Sequence, residues 1–241
     1  MWPIYTRDLS RMLHSNVICT IIVLFLLMMG AMFFIDFFDT VQALNLRQFF
    51  SQAPLLLSIF CPALTMGTLA AERSHQTLDL LQTMPVHTWQ IILAKFGACI
   101  TLLAIILLFT LSYPITLATL GPLDWGPVIG GYMALLLLGG GYIALGILAS
   151  ACSKDQISSM LIAFFMCFAL TFVHQLSLDA SGITATILQN ISANVHFSNI
   201  ARGVVDIRDI LYAITLQFFA LTATVLVIES RKYPNKIIHQ K

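Results

Sequence analysis

Charge is scarce in this chain. Its 12 Lys and Arg and 11 Asp and Glu make up 10% of 241 residues, against 59% hydrophobic, where soluble domains carry about a quarter charged. With a mean hydropathy of +0.89, that balance excludes a soluble globular protein. A net charge of +1 with scattered basic residues leaves no electrostatic footprint for nucleic acid, which is not an expected partner. Catalytic signatures are missing too: no GxxxxGK[ST] loop to cradle phosphates, no HExxH to hold zinc and no GxSxG elbow to present a nucleophile. The histidines (His14, His75, His87, His174, His196, His239) never recur at i, i+4, the spacing that lets two imidazoles on one helix face share a metal. Cys19, Cys61, Cys99, Cys152 and Cys167 form no CxxC pair and lie mostly in apolar runs, where a thiol acts as a small apolar filler. The sequence therefore predicts no enzyme, no metal site and no cofactor bound by this chain.

Long apolar runs are what the sequence has instead. A bilayer-crossing helix takes about 20 residues, and six windows qualify, roughly 16–35, 53–71, 91–116, 127–150, 157–176 and 210–228. The expected fold is an all-α membrane protein with one six-span transmembrane domain over 1–241. It carries an N-terminal interfacial helix at 1–14, a short cytoplasmic helix at 74–86 between spans two and three, and an outer segment at 177–209. Too little chain remains for a separate catalytic domain. The first run is too long for a signal-peptide core and lacks a clear small-residue cleavage site, so it is expected to stay in the mature protein. Connections between spans alternate sides. Arg7, Arg11, Arg73, Lys95, Lys154, Arg231, Lys232, Lys236 and Lys241 fall on one face and Arg47, Arg202 and Arg208 on the other, which by the positive-inside rule puts both termini in the cytoplasm, at a plasma or bacterial inner membrane. Trp2, Trp89 and Trp125 all fall at span ends, where an amphipathic indole sits best.

The first fourteen residues place Trp2, Tyr5, Leu9, Met12 and Leu13 at helical spacing between charges, which predicts a helix lying flat on the membrane surface. In the fourth span Gly126, Gly130 and Ala134 recur every fourth position, followed by Gly139, Gly140, Gly141 and Gly146. Small residues so spaced let helices approach closely, either within this chain or across a subunit interface. Pro62 and Pro114 each remove a backbone hydrogen bond and could kink their helices. The apolar cores read as empty of Asp, Glu, Lys and Arg, which speaks against an ion-coupled carrier, since a titrating or ion-binding group belongs in the transport path. Energy for transport would then enter mechanically, through a cytoplasmic partner.

The richest stretch runs from Pro62 through Glu72-Arg73-Ser74 and Thr77-Leu78-Asp79-Leu80-Leu81 to Met84-Pro85-Val86. Glu72 and Arg73 are expected to stop a membrane helix at the interface, and Ser74 can cap a new helix beyond them. Leu78 with Leu81, and Leu80 with Met84, recur at i, i+3 and i, i+4, predicting a short amphipathic helix that Pro85 closes. Such a helix either docks into a partner's groove or rests on the membrane.

This stretch resembles the signature of ABC-2-type permeases, and within them the branch related to gliding-motility and multicopper-enzyme-maturation permeases. Residues 121–132, with Asp124 and Trp125, Lys154-Asp155-Gln156, and residues 196–212 fit the same branch in order. The chain departs from it at Gly67, where the family often has a basic residue, at Gln76-Thr77, usually Gly-Thr, and at Asp155, usually Asn. The resemblance implies a permease subunit of an ATP-binding cassette exporter without an ATP site of its own. A separately encoded ATPase subunit would hold ATP and Mg, and a second permease subunit, identical or related, would complete the membrane part. Glu72, Arg73, Thr77, Leu78, Leu81, Met84 and Pro85 would then couple to the ATPase. Two other readings stand beside it: a non-transporting anchor or scaffold of a secretion or maturation complex, and an ion-coupled carrier. In the outer segment Arg202, Asp206 and Asp209 sit at i, i+4 and i+7, predicting surface ion pairs; with Gly203 they are also the candidates for an outer gate.

Overall fold

The computed structural model describes residues 2–39, 46–74, 87–121, 123–179, 184, 188–190, 192–203 and 206–232. Its helices are α1 (Trp2–Leu13), α2 (Asn16–Asp39), α3 (Arg47–Thr65), α4 (Ala70–Ser74), α5 (Thr88–Thr110), α6 (Ser112–Leu120), α7 (Trp125–Cys152), α8 (Gln156–Asp179), α9 (Ala193–Ala201) and α10 (Ile207–Lys232). No strand occurs among the described residues. Six segments are long and apolar enough to cross a membrane: Asn16–Ile35, Phe49–Arg73, Thr88–Leu120, Trp125–Cys152, Gln156–Gln175 and Ile207–Ser230. They fall on the six windows read from the sequence.

Helix α7 is the axis of the bundle, packed against α3, α5, α8, α9 and α10. Its glycines are the reason. A Cβ on Gly140 would meet Gln217 of α10 at 2.7 Å, one on Gly146 would run into Thr65 of α3, and one on Gly130 would lie 2.5 Å from the Ile200 carbonyl oxygen of α9. Different faces of α7 thus admit different neighbours at close range, where lipid supplies no hydrophobic drive and contact area must do the work. Gln217 adds a hydrogen bond to the Leu137 carbonyl, at 3.1 Å, and Tyr142, fully buried, donates to Thr171 of α8 at 2.7 Å. Gly130→Ala sets a side chain against backbone that cannot rotate away. We expect it to cost about 1–3 kcal/mol, read as a lower thermal midpoint of the detergent-solubilised protein.

Burial separates an inner from an outer set of helices. In the most apolar stretch of the second and fourth spans 78% of residues are buried, against 17% for α2 and 22% for α8 and α10. Large apolar side chains such as Leu27, Phe165 and Phe219 consequently point outward, as a bilayer requires.

Both prolines singled out from the sequence mark breaks. The third span divides into α5 and α6 at Leu111, which places Pro114 in the first turn of α6, where a proline is best tolerated. The Thr110 carbonyl that this N–H would have satisfied accepts instead from the Tyr132 hydroxyl of α7, at 2.9 Å. Pro62 lies in the last turn of α3, which ends at Thr65; residues 66–69 turn before the five-residue α4 begins.

Candidate functional site

Charge collects where α1, α4 and α5 meet. Lys95, in the second turn of α5, is 2% exposed, and Glu72 of α4 and Asp8 of α1 are 3% and 4% exposed. The Lys95 ammonium donates to Glu72 Oε1 at 2.8 Å, to the Thr68 carbonyl at 2.9 Å and to Asp8 Oδ2 at 3.2 Å. Its three N–H groups are thereby all used. Arg7 closes the cluster from outside, 2.8 Å from Asp8 Oδ1 and 3.4 Å from Glu72 Oε1, with its own side chain half exposed. Two cations, Arg7 and Lys95, face two carboxylates, Asp8 and Glu72, so the cluster is neutral. Desolvating such groups is costly, and a neutral set in which each charge lies against an opposite one is the arrangement that tolerates it.

Local sequence delivers each member. The helical period of α1 brings Tyr5, Asp8 and Met12 to one face, against α5; the Tyr5 hydroxyl lies 2.9 Å from the Thr101 hydroxyl, itself bonded to the Gly97 carbonyl at 2.8 Å. The turn at 66–69 swings Glu72 inward. Ser150 of α7 holds that turn: its hydroxyl accepts from the Leu69 and Ala70 amides at 3.1 and 2.9 Å and donates to the Met66 carbonyl at 3.3 Å. One side chain on a neighbouring helix thus does what an N-cap residue does from within. Arg73 reaches the other way and donates to the Ser153 carbonyl, just past the end of α7, at 3.1 Å. Helix α4 is therefore tied to α1 and α5 through Glu72 and to α7 through Ser150 and Arg73. Ser150→Ala leaves two buried amides without an acceptor, a loss of about 1–3 kcal/mol; we expect faster hydrogen exchange at residues 66–74 than at Tyr142 in the same protein.

Over residues 2–228 the chain matches the family described as ABC-2 family transporter protein. It belongs to that family. No curated protein is a match to it. The permease is accordingly a multi-pass membrane protein, and the ion cluster, the α7 axis and residues 196–212 all lie within the matched region.

The cluster corrects one expectation. Lys95 does not sit on a loop face: it lies inside the third span, seven residues past Thr88, so the apolar cores are not all empty of charge. The second candidate span does end at Arg73, and there Glu72 is buried while Arg73 engages Ser153. Of the other residues assigned to coupling, Thr77, Leu78, Leu81, Met84 and Pro85 lie outside the described residues, as does the 74–86 helix beyond Ser74. The N-terminal helix expected at 1–14 is α1, although its inner face is bound to protein.

At the other end of α7, about 40 Å away for 28 residues, the segment expected on the outer side meets the rest of the bundle. The expected Arg202–Asp206–Asp209 pairing is not formed. Helix α9 ends at Ala201, Gly203 takes a φ of +85° beside Gly126 and Pro127, and α10 begins only at Ile207, so the three residues do not belong to one continuous helix. Asp206 accepts from the Arg208 amide at 3.0 Å at the start of α10, and Arg202 is exposed. Asp209 is buried and bonds His196 Nδ1 at 2.6 Å; the opposite ring nitrogen lies 3.2 Å from the Asn190 carbonyl, and the imidazole stacks on Tyr212 at 4.1 Å. Both ring nitrogens thus lie against oxygens, one of Asp209 and one of the Asn190 backbone. Sequence reading passed over His196, whose signal was its place thirteen residues before a carboxylate across a glycine turn. Gly126 contacts its own cap, Asp124, which accepts from the Gly126 amide at 3.1 Å. Among the described residues no three His, Cys, Asp or Glu side chains gather as metal ligands would.

Proposed function

We propose that this permease is the membrane subunit of an ATP-binding cassette exporter driven by a separate ATPase chain, with ATP and Mg held by that partner and a second permease subunit completing the pore. The observation that carries it is the clamp around residues 75–86. That segment leaves α4 directly after Glu72 and Arg73 and rejoins the bundle at the start of α5, and the 2.8 Å contact between Glu72 and Lys95 joins its two flanks. A push on Thr77, Leu78, Leu81, Met84 or Pro85 would reach α1, α5 and α7 together, because α4 is bonded to all three. The ion cluster would then lie on the cytoplasmic side, with both termini, and the α9–α10 turn on the outer side. There Arg202, Gly203 and Asp206 remain the gate candidates, while Asp209 ties α9 to α10 through His196. The sequence motifs support the gliding-motility and multicopper-maturation branch within the family.

The test is the ATP turnover of the cognate ATPase, reconstituted in nanodiscs with and without this permease. We expect turnover to change several-fold when the permease is present. ATPase activity indifferent to it would favour the anchor or scaffold reading, and gradient-driven uptake by the permease alone would favour the ion-coupled carrier.

A further inference from the structure

A cavity of about 230 Å³ opens beside the ion cluster, between α1, the start of α2, the α3–α4 turn and the start of α8. Apolar Ile18 and Leu64 and polar Arg11, Ser15 and Gln156 are among the residues that line it. Gly67 also lines it, and a Cβ built there meets nothing within 4 Å, so a side chain at 67 has room to enter the space.

Charge decides what fits. Asp8 and Lys95 face the cavity, but each is already paired within the neutral cluster. Arg11 is exposed and has no hydrogen bond or ion pair among the described residues. The cavity thus presents one surplus cation, with a hydroxyl, an amide and apolar side chains in the same lining. It lies where the first span begins at Asn16 and the second ends at Arg73, the depth of lipid headgroups rather than of the hydrocarbon. A free inorganic anion would satisfy Arg11 and leave the apolar lining wet; an anionic phospholipid satisfies both. We propose that this cavity binds one anionic phospholipid, its phosphate on Arg11 and the upper part of an acyl chain along Ile18 and Leu64. Basic pockets between membrane helices take such headgroups on electrostatic grounds. The site does not depend on the ATPase reading, since it involves no residue of 75–86.

Native mass spectrometry of the full chain, released from detergent with equal phosphatidylglycerol and phosphatidylcholine, tests this. The wild type should retain one phosphatidylglycerol with about a fivefold preference, the effect of one surplus basic charge near a headgroup. Arg11→Gln should abolish the preference, Gly67→Trp should remove the bound lipid, and Arg208→Gln, at the opposite end, should leave both unchanged. Arg11 is exposed and unpaired, so its variant keeps the test valid if Gly67→Trp fails to fold. Equal retention of both lipids by the wild type, retention unaffected by Arg11→Gln, or displacement of the lipid by millimolar inorganic phosphate would each overturn the proposal.

Discussion

Replacing Lys95 by methionine should lower the stability of the folded permease by about 3–5 kcal/mol, seen as a collapse of the monodisperse fraction and thermal midpoint in detergent. Methionine keeps much of the volume and the unbranched stem, so the loss is electrostatic. Asp8 and Glu72 would stay buried with the ammonium between them gone, and the half-exposed Arg7 is too solvated to replace it. The triple variant Lys95→Met, Asp8→Asn, Glu72→Gln should recover most of the loss, because a neutral set no longer carries an uncompensated charge. Failure of the triple to recover would mean that Lys95 matters through packing.

Leu81→Arg should abolish co-purification with the cognate ATPase while leaving the permease in the membrane and its thermal midpoint unchanged. A short helix that docks in a groove depends on a few apolar anchors at i and i+3, and truncating or charging one removes several kcal/mol of binding. Leu78→Arg should act alike. If 75–86 instead rests on the bilayer, these variants would leave ATPase association unaltered.

The architecture was legible because membrane spans are written in composition. About twenty apolar residues between charged or aromatic ends are a local signal, and the six windows needed no tertiary information. Pro114 was legible as a break, though its repair by Tyr132 was not, since that bond joins α5 to α7. The ion cluster was hidden for the same reason. Asp8, Glu72 and Lys95 come from three elements, separated by 87 residues at the widest, and each alone looks like a charge at a span end. A lysine seven residues inside an apolar helix was the available clue, because such a group needs an acid within reach. The outer segment misled for a different reason: regular i, i+4, i+7 spacing implies one helix face only if the helix is continuous, and Gly203 interrupts it.

We propose that force enters this permease at residues 75–86 and passes into the bundle through Glu72 and Lys95. A photoreactive residue placed in turn at Leu78, at Leu81 and at exposed Ile207 of the opposite end, with crosslinking in the intact membrane complex, tests the point of entry directly. ATPase adducts are expected from positions 78 and 81 and none from 207; adducts from 207, or only lipid adducts from 78 and 81, would contradict that route.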